Sequence, residues 1–408
     1  MKILVICQHY WPEPYPLSDI CEELVARGHT VDLITDVPNY PMGKIYPEYQ
    51  NRQRRNETHK GVNIIRTFTI PRHHNAVFRL LNYYSYSFSS SWRAKRIIKE
   101  YDVVFTNQTS PVMMSAAAFV YAKKHRKKVV MYCMDLWPAC LAAGGISENS
   151  LIYKFFGKVS QRLYTKPDKI LITSQMFSDY LVKQHGVDES KISYLPQYAT
   201  TEFECAPEAK PAEHKETIDL MFAGNVGAAQ NLNTVVEAAF ILKKESRLRW
   251  HIVGDGSELE NLIALANKKR LQNMIFHGRK APEEMPKYFA MADAMLVTLT
   301  ADRFISLTLP GKVQAYMAAG KPIIGAANGE IPQVIAAAQC GYCANAEDAK
   351  GLAKAVQNFL QCTNRLQLGR NAKVYYEENF ARNKFMDTLE YILKQYTGQD
   401  KIYNPREK

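Results

Sequence analysis

The stretch LPGKVQAYMAAGKPIIG, Leu309–Gly325, reads as one complete helix-to-strand unit: a proline–glycine start, a small-residue helix, a glycine stop and a short β-branched strand. Its second helical residue is a lysine, at the helix end where the macrodipole makes a cation unfavourable. Lys312 therefore either points into solvent or faces an anion. Backbone N–H groups at a helix start, the positive helix end and a lysine together make a phosphate site.

The same grammar runs in both directions from this unit. Short apolar runs recur at 3–7, 31–35, 62–66, 102–106, 129–133 and 169–173, with amphipathic segments such as DICEELVA, 19–26, between most of them. Strand, helix, strand predicts a doubly wound parallel sheet over residues 1–198. A polar, proline- and glutamate-bearing segment follows and reads as a linker over 199–217. The pattern then restarts at 218–222, 249–253, 273–278, 294–298 and 321–325, giving a second domain over 218–380 and a last helical stretch within 381–408. The expected fold class is α/β, with two Rossmann-like domains facing across a cleft and a ligand at the carboxyl ends of the strands.

Composition agrees with a folded enzyme or binding protein. The chain has 408 residues, 47% hydrophobic and 23% charged, more than one core of ordinary size holds. Its first apolar run is too short for a signal peptide, and no run reaches the length needed to span a bilayer, so a cytoplasmic location is expected. The eight cysteines are scattered, several in strand-like runs, and read as reduced core thiols. The Cys340/Cys343 pair lacks a second pair at zinc-ligand spacing. Residues 1–198 carry 26 Lys+Arg against 16 Asp+Glu, so most of the net charge of +12 lies in the front half. A nucleic-acid signature is absent, which leaves polyanionic substrates, an anionic membrane or a solvated surface.

In the second half, strand ends open into glycine-bearing loops: AGNVGAAQN at 223–231, GDGSE at 254–258 and HGR at 277–279. Alone, GDGSE is also a helix-starting turn with Ser257 capping and Glu260 three residues on. The spacing is not GxGxxG and no acid follows where a dinucleotide ribose needs one, which disfavours nicotinamide.

At these residues the chain resembles the family-4 glycosyltransferases of GT-B fold, and within them the proposed N-acetylfucosamine transferases of O-antigen and capsule synthesis. The matching pieces are GHTVDLIT at 28–35, PNYPMGKIYPEY at 38–49, NQTSPV at 107–112, DLWP at 135–138, the AGNVG and VGDG loops, and LPGKVQAYMAAGKPI. The resemblance implies transfer of a sugar, possibly N-acetylated, from a UDP-sugar with retention of configuration, and no obligatory metal or cofactor. By it, the C-terminal domain holds the nucleotide sugar. Lys312 and the Gly311 backbone then meet the diphosphate, beside Asn225, Gly227 and the Val226 backbone, with Gly254, Asp255, Gly278, Arg279, Arg303 and Pro310 around them. Many relatives carry two glutamates eight positions apart; Ser306 and Gln314 stand there, and Gln314 can still bond a ribose without charge. The loop after the first strand, usually glycine-paired, is PEPYPLSD, and Met134 stands where many relatives have a histidine.

Asp135, after a buried strand, is the candidate to orient the acceptor hydroxyl or the donor sugar, and His9 is a second; each can also serve only as a turn residue. The resemblance implies an undecaprenyl diphosphate-linked saccharide as acceptor. The segment Arg72–Lys99 mixes aromatic and basic residues without an acid, and Arg72, Tyr83, Tyr84 and Trp92 suit either an anionic headgroup region on the inner face of the cell membrane or a packed core. The last helix is expected to cross back to the first domain. Two other readings remain open at this level: a nucleotide-sugar 2-epimerase, and a transferase-like scaffold that binds nucleotide or lipid without turnover.

Overall fold

The computed structural model describes residues 1–72, 76–204 and 216–398. The middle of the expected linker, Cys205, part of the Arg72–Lys99 segment and the last ten residues lie outside them. The chain divides into two compact units, Met1–Leu195 with the stretch from Met386 onward, and Pro196–Phe385.

The first unit is built on eight strands: β1 Lys2–Ile6, β2 Thr30–Thr35, β3 Asn56–His59, β4 Val62–Arg66, β5 Val103–Gln108, β6 Val129–Cys133, β7 Lys169–Ile172 and β8 Ile192–Tyr194. Their order is β3-β4-β2-β1-β5-β6-β7-β8, parallel except for β3 against β4. The central strands are covered on both faces, so they read as unbroken apolar runs. The polar edge pair β3 and the three-residue β8 gave no such run.

The second unit holds β9 Ile218–Ala223, β10 Leu248–Val253, β11 Met274–Gly278, β12 Ala294–Thr298, β13 Ile323–Ala326 and β14 Gly341–Ala344, ordered β11-β10-β9-β12-β13-β14 and all parallel. The helix expected within Leu309–Gly325 is present as Gly311–Ala318, with Pro310 at its N-cap position. The start of the expected linker is structured instead: Thr201–Glu204 is helical, Phe203 stacks on Phe289, and Glu204 accepts from the Tyr376 hydroxyl at 2.6 Å. The last helix, Arg382–Gln395, begins in the second unit's residues and continues in those of the first. There Arg27 bonds Asp387 at 2.6 Å and Glu390 at 3.1 Å.

Candidate active site

In the second unit the carboxyl ends of three strands are stitched by backbone bonds. Gly224 N–H donates to Val253 O (2.9 Å), Val226 N–H to Asp255 O (2.9 Å), and Gly254 N–H to Gly278 O (2.9 Å). The Val226 amide, expected to face a diphosphate, is thus already used, because the first loop is pinned onto the second. Gly224 and Gly254 both have φ of 141°, and a Cβ on Gly254 would lie 1.8 Å from Gly224 O. Gly254→Ala is therefore expected to push the loops apart and cost upwards of about 2 kcal/mol, read as a fall in melting temperature of several degrees.

Lys312 stands over this loop edge. Its Nζ lies 4.2 Å from the centre of the Phe222 ring and donates to Gln230 Oε1, while Gln230 O accepts from Thr298 Oγ1 at 2.5 Å. Gly224 is so close that an added Cβ would meet Lys312 Nζ at 3.5 Å. Among the described residues no carboxylate pairs with Lys312. It is half-buried as a residue, yet enough protein surrounds its ammonium that lost solvation lowers the group from 10.5 to about 7. A cation held by a ring and an amide oxygen is a site short of negative charge.

The Gly311 and Lys312 amides open the first helical turn, where a helix leaves N–H groups without internal acceptors; Val313 N–H turns back to Pro310 O at 2.9 Å. Tyr316 holds this helix to the end of β9, its hydroxyl donating to Ala223 O at 2.9 Å and accepting from Ala223 N at 3.1 Å. Gln314 is fully buried and both amide atoms lack a protein partner among the described residues. Such a group costs about 1–3 kcal/mol unless water or a ligand meets it. Two residues apart on a helix is about 200°, so Gln314 and Lys312 leave on different sides.

The remaining expected residues sit as follows. Asn225 is exposed and its side chain leans over Gly227. Asp255 accepts from Gly256 N–H at 2.8 Å, and Arg279 is exposed. Ser257 does not cap: the helix begins at Leu259 without a side-chain cap. Arg303 is exposed with its guanidinium 4.5 Å over the Phe304 ring. Ser306 donates to Asp302 O at 2.8 Å and keeps only its lone pairs for a sugar.

In the first unit, Asp135 lies just past β6. One carboxylate oxygen accepts from Leu136 N–H (2.9 Å), the other from Ser110 Oγ, which also lies 3.2 Å from Cys140 Sγ. Burial pushes the Asp135 carboxyl up. His9, past β1, is buried; its Nδ1 lies 2.8 Å from Glu13 Oε2 and its ring stacks on Tyr15 at 5.0 Å, and among the described residues its Nε2 has no partner. Glu13 Oε1 accepts from both Asn39 and Tyr40 N–H at 2.6 Å. His9, Glu13 and Asp36 form the group among the described residues spaced to hold a metal, within 4.8 Å of one another. Here hydrogen bonds already occupy Glu13, and Asp36 accepts from Asn39 Nδ2 at 3.1 Å; burial and then Glu13 push Asp36 up.

The expected acceptor residues divide. Tyr84 and Trp92 are exposed on the helix Ala76–Arg96, but Tyr83 is buried against Trp137 and cannot meet a headgroup. Arg72 lies over the Tyr40 and Tyr83 rings, at 6.0 and 5.7 Å, inside the His9 cluster. Sequence reasoning missed Gln230, Phe222, Ser110 and Glu13 as partners. Gln230, Ser110 and Glu13 lie in polar strand-end loops, which marked the region, whereas Phe222 lies in the apolar run of β9.

Two sheets built on parallel strands, glycine-lined strand ends with a lysine free of carboxylate partners among the described residues at a helix start in the second unit, and a buried aspartate past a strand end in the first define the class. The Glycosyltransferase Family 4 model matches residues 17–202 and the Glycosyl transferases group 1 model residues 207–375. The chain is a glycosyltransferase of GT-B fold and belongs to the enzymes that combine these two halves. It is 26% identical over 348 residues to WcaI of Escherichia coli (strain K12), a protein named for colanic acid biosynthesis as a glycosyl transferase; the match covers 78% of this chain and 82% of WcaI. Sucrose-phosphate synthase from Thermosynechococcus elongatus superposes with TM-score 0.73 at 16% identity, covering 97% of this chain and 98% of that one. Anabaena Alr3699/HepE in complex with UDP gives 0.71 at 14% identity, covering 97% and 100%.

Proposed function

We propose that this glycosyltransferase moves a sugar from a UDP-sugar, with retention of configuration, to an undecaprenyl diphosphate-linked saccharide in bacterial surface-polysaccharide synthesis. The observation that carries the reading is Lys312, a cation at the start of a helix and beside the Gly224 loop that no carboxylate among the described residues pairs with. A nucleotide diphosphate supplies the missing charge. As the bond from the sugar's anomeric carbon to the phosphate oxygen breaks, negative charge grows on the leaving diphosphate, where the ammonium and the first-turn amides stabilise it. The acceptor oxygen bonds to the same face of that carbon, and its proton passes to the departing phosphate oxygen. No obligatory metal or protein base is needed in this scheme. Gln314 meets the ribose and Asp135 orients the acceptor hydroxyl.

WcaI's name, given for colanic acid, and the UDP held by HepE support the substrate classes. The transferred sugar is an N-acetylated amino or deoxy sugar, as in the N-acetylfucosamine transferase-like subgroup. The enzyme works on the inner face of the cell membrane as a peripheral protein, and no helix among the described residues is long and apolar enough to cross it.

The test is product formation from a panel of UDP-sugars with the lipid-linked acceptor, the anomer read by NMR. Asp135→Asn is expected to lower turnover at least about tenfold while leaving UDP affinity unchanged. Conversion of donor without acceptor would make it an epimerase, and UDP binding without any product a scaffold.

A further inference from the structure

Most of the first unit's large exposed apolar side chains gather at one edge, while Phe88 and Trp92 lie further along the helix Ala76–Arg96 and Ile98 past its end. In its sheet, parallel but for β3, each helix returns against the strands, so a helix begins where the preceding strand ends. Met42 follows β2 and Phe68 follows β4; Val77, Leu80, Leu81 and Tyr84 open the helix Ala76–Arg96, which leads back to β5. Leu151, Ile152 and Phe155 open the helix Leu151–Tyr164, which leads back to β7, and they are 84%, 57% and 57% exposed. All lie at the carboxyl edge that also carries Asp135.

The two helices are joined there by rings. Tyr83 meets Trp137 at 6.1 Å, Trp137 meets Phe156 at 5.4 Å, and Phe156 meets exposed Phe155 at 5.4 Å. Neither helix contains an acidic residue, while the first has Arg79, Arg93, Lys95 and Arg96 and the second Lys154, Lys158 and Arg162. Glu148, the acid nearest in sequence to the second helix, is half-buried. A protein partner's apolar groove needs no such one-sided charge, whereas an anionic bilayer surface rewards both the apolar side chains and the basic ones.

We propose that the start of the Leu151–Tyr164 helix is a second membrane-docking element, which enters an anionic leaflet together with the helix Ala76–Arg96. Leu151, Ile152 and Phe155 sink into the headgroup–acyl boundary while Lys154 and Lys158 meet lipid phosphates. Two contacts fix orientation where one helix leaves rotation free, and they bring the edge carrying Asp135 to the surface from which a lipid-linked acceptor arrives. The inference rests on the peripheral-membrane reading above but adds an element that the sequence did not single out.

Flotation of the full chain with phosphatidylglycerol–phosphatidylethanolamine vesicles tests it, with pure phosphatidylcholine vesicles as the neutral control. The triple variant Leu151→Ser, Ile152→Ser, Phe155→Ser is expected to bind the anionic vesicles at least about tenfold more weakly. Lys154→Glu with Lys158→Glu should lose about fivefold per charge. Both change exposed residues, so the melting temperature and its response to UDP should match wild type. Wild-type-like flotation of both variants overturns the second element and leaves the first helix as the docking site. Equal binding of wild type to neutral vesicles overturns the role of charge. A wild type that floats with neither overturns membrane docking altogether, while UDP binding and transfer to a detergent-dispersed acceptor still test the transferase reading separately.

Discussion

Lys312→Met is expected to lower kcat/KM at least about 100-fold, the scale of losing one preorganised group that stabilises transition-state charge, and yet to raise the melting temperature of the free protein at pH 6–7. The two effects have one cause. Lys312 Nζ has a ring at 4.2 Å and an amide oxygen as partners and, among the described residues, no carboxylate, so in the free enzyme its charge is desolvated with no opposite charge to offset it. Removing it relieves the fold and empties the diphosphate site. A variant that lost activity by misfolding would instead melt lower, so calorimetry of the free proteins beside kinetics separates the two causes.

The pH dependence of UDP binding is the second large effect. Burial lowers Lys312 to about 7 in the free protein, against 10.5 for an ordinary lysine, and a bound diphosphate favours the charged form and raises it again. Binding therefore takes up a proton above pH 7, and the UDP dissociation constant should rise about tenfold per pH unit between roughly 7.5 and 9. Below pH 7 the lysine is already charged and this dependence flattens. Stability of the free protein runs the other way. Between about 7 and 10.5 the unfolded chain keeps a proton that folded Lys312 has lost, so stability rises with pH across that window and the desolvation cost is fullest below it. Isothermal titration in buffers of different ionisation enthalpy reads the proton directly. No uptake at pH 8, or a dissociation constant flat from 7 to 9, would remove Lys312 from the diphosphate.

Much of the fold was legible because its strands are buried on both faces and so appear as continuous apolar runs: VVMYC is β6 and IDLMF opens β9. The misses have the opposite character. NETH of β3 and ISY of β8 lie at sheet edges, and GYCA of β14 is half-buried, so none needed an apolar run. At the site, Lys312, Gly311 and the strand-end loops were visible as chemistry, but their pairing was not. Gln230 meets Lys312 across 82 residues, and nothing in AGNVGAAQN says which of its polar groups turns inward. The Val226 amide was misread for the same reason: only the register of two glycine loops reveals that Asp255 already takes it. Asp135 was found from DLWP, whereas Ser110, which fixes its rotation, sits 25 residues earlier on another strand end. Tyr83 and Tyr84 are adjacent in sequence and point to opposite fates, one against Trp137 and one into solvent, a division set by helical phase that composition cannot carry.

The most direct measurement is a thermal-shift panel with UDP, GDP, dTDP, CMP and NAD on wild type and Lys312→Ala. A ligand at 100 times its dissociation constant stabilises its unit by about 2.7 kcal/mol, enough to read even where two units melt separately. UDP should raise the melting temperature of wild type and leave that of Lys312→Ala unmoved. A UDP shift that survives the substitution, or no shift from any nucleotide, would contradict the assignment of Leu309–Gly325 as the diphosphate cradle.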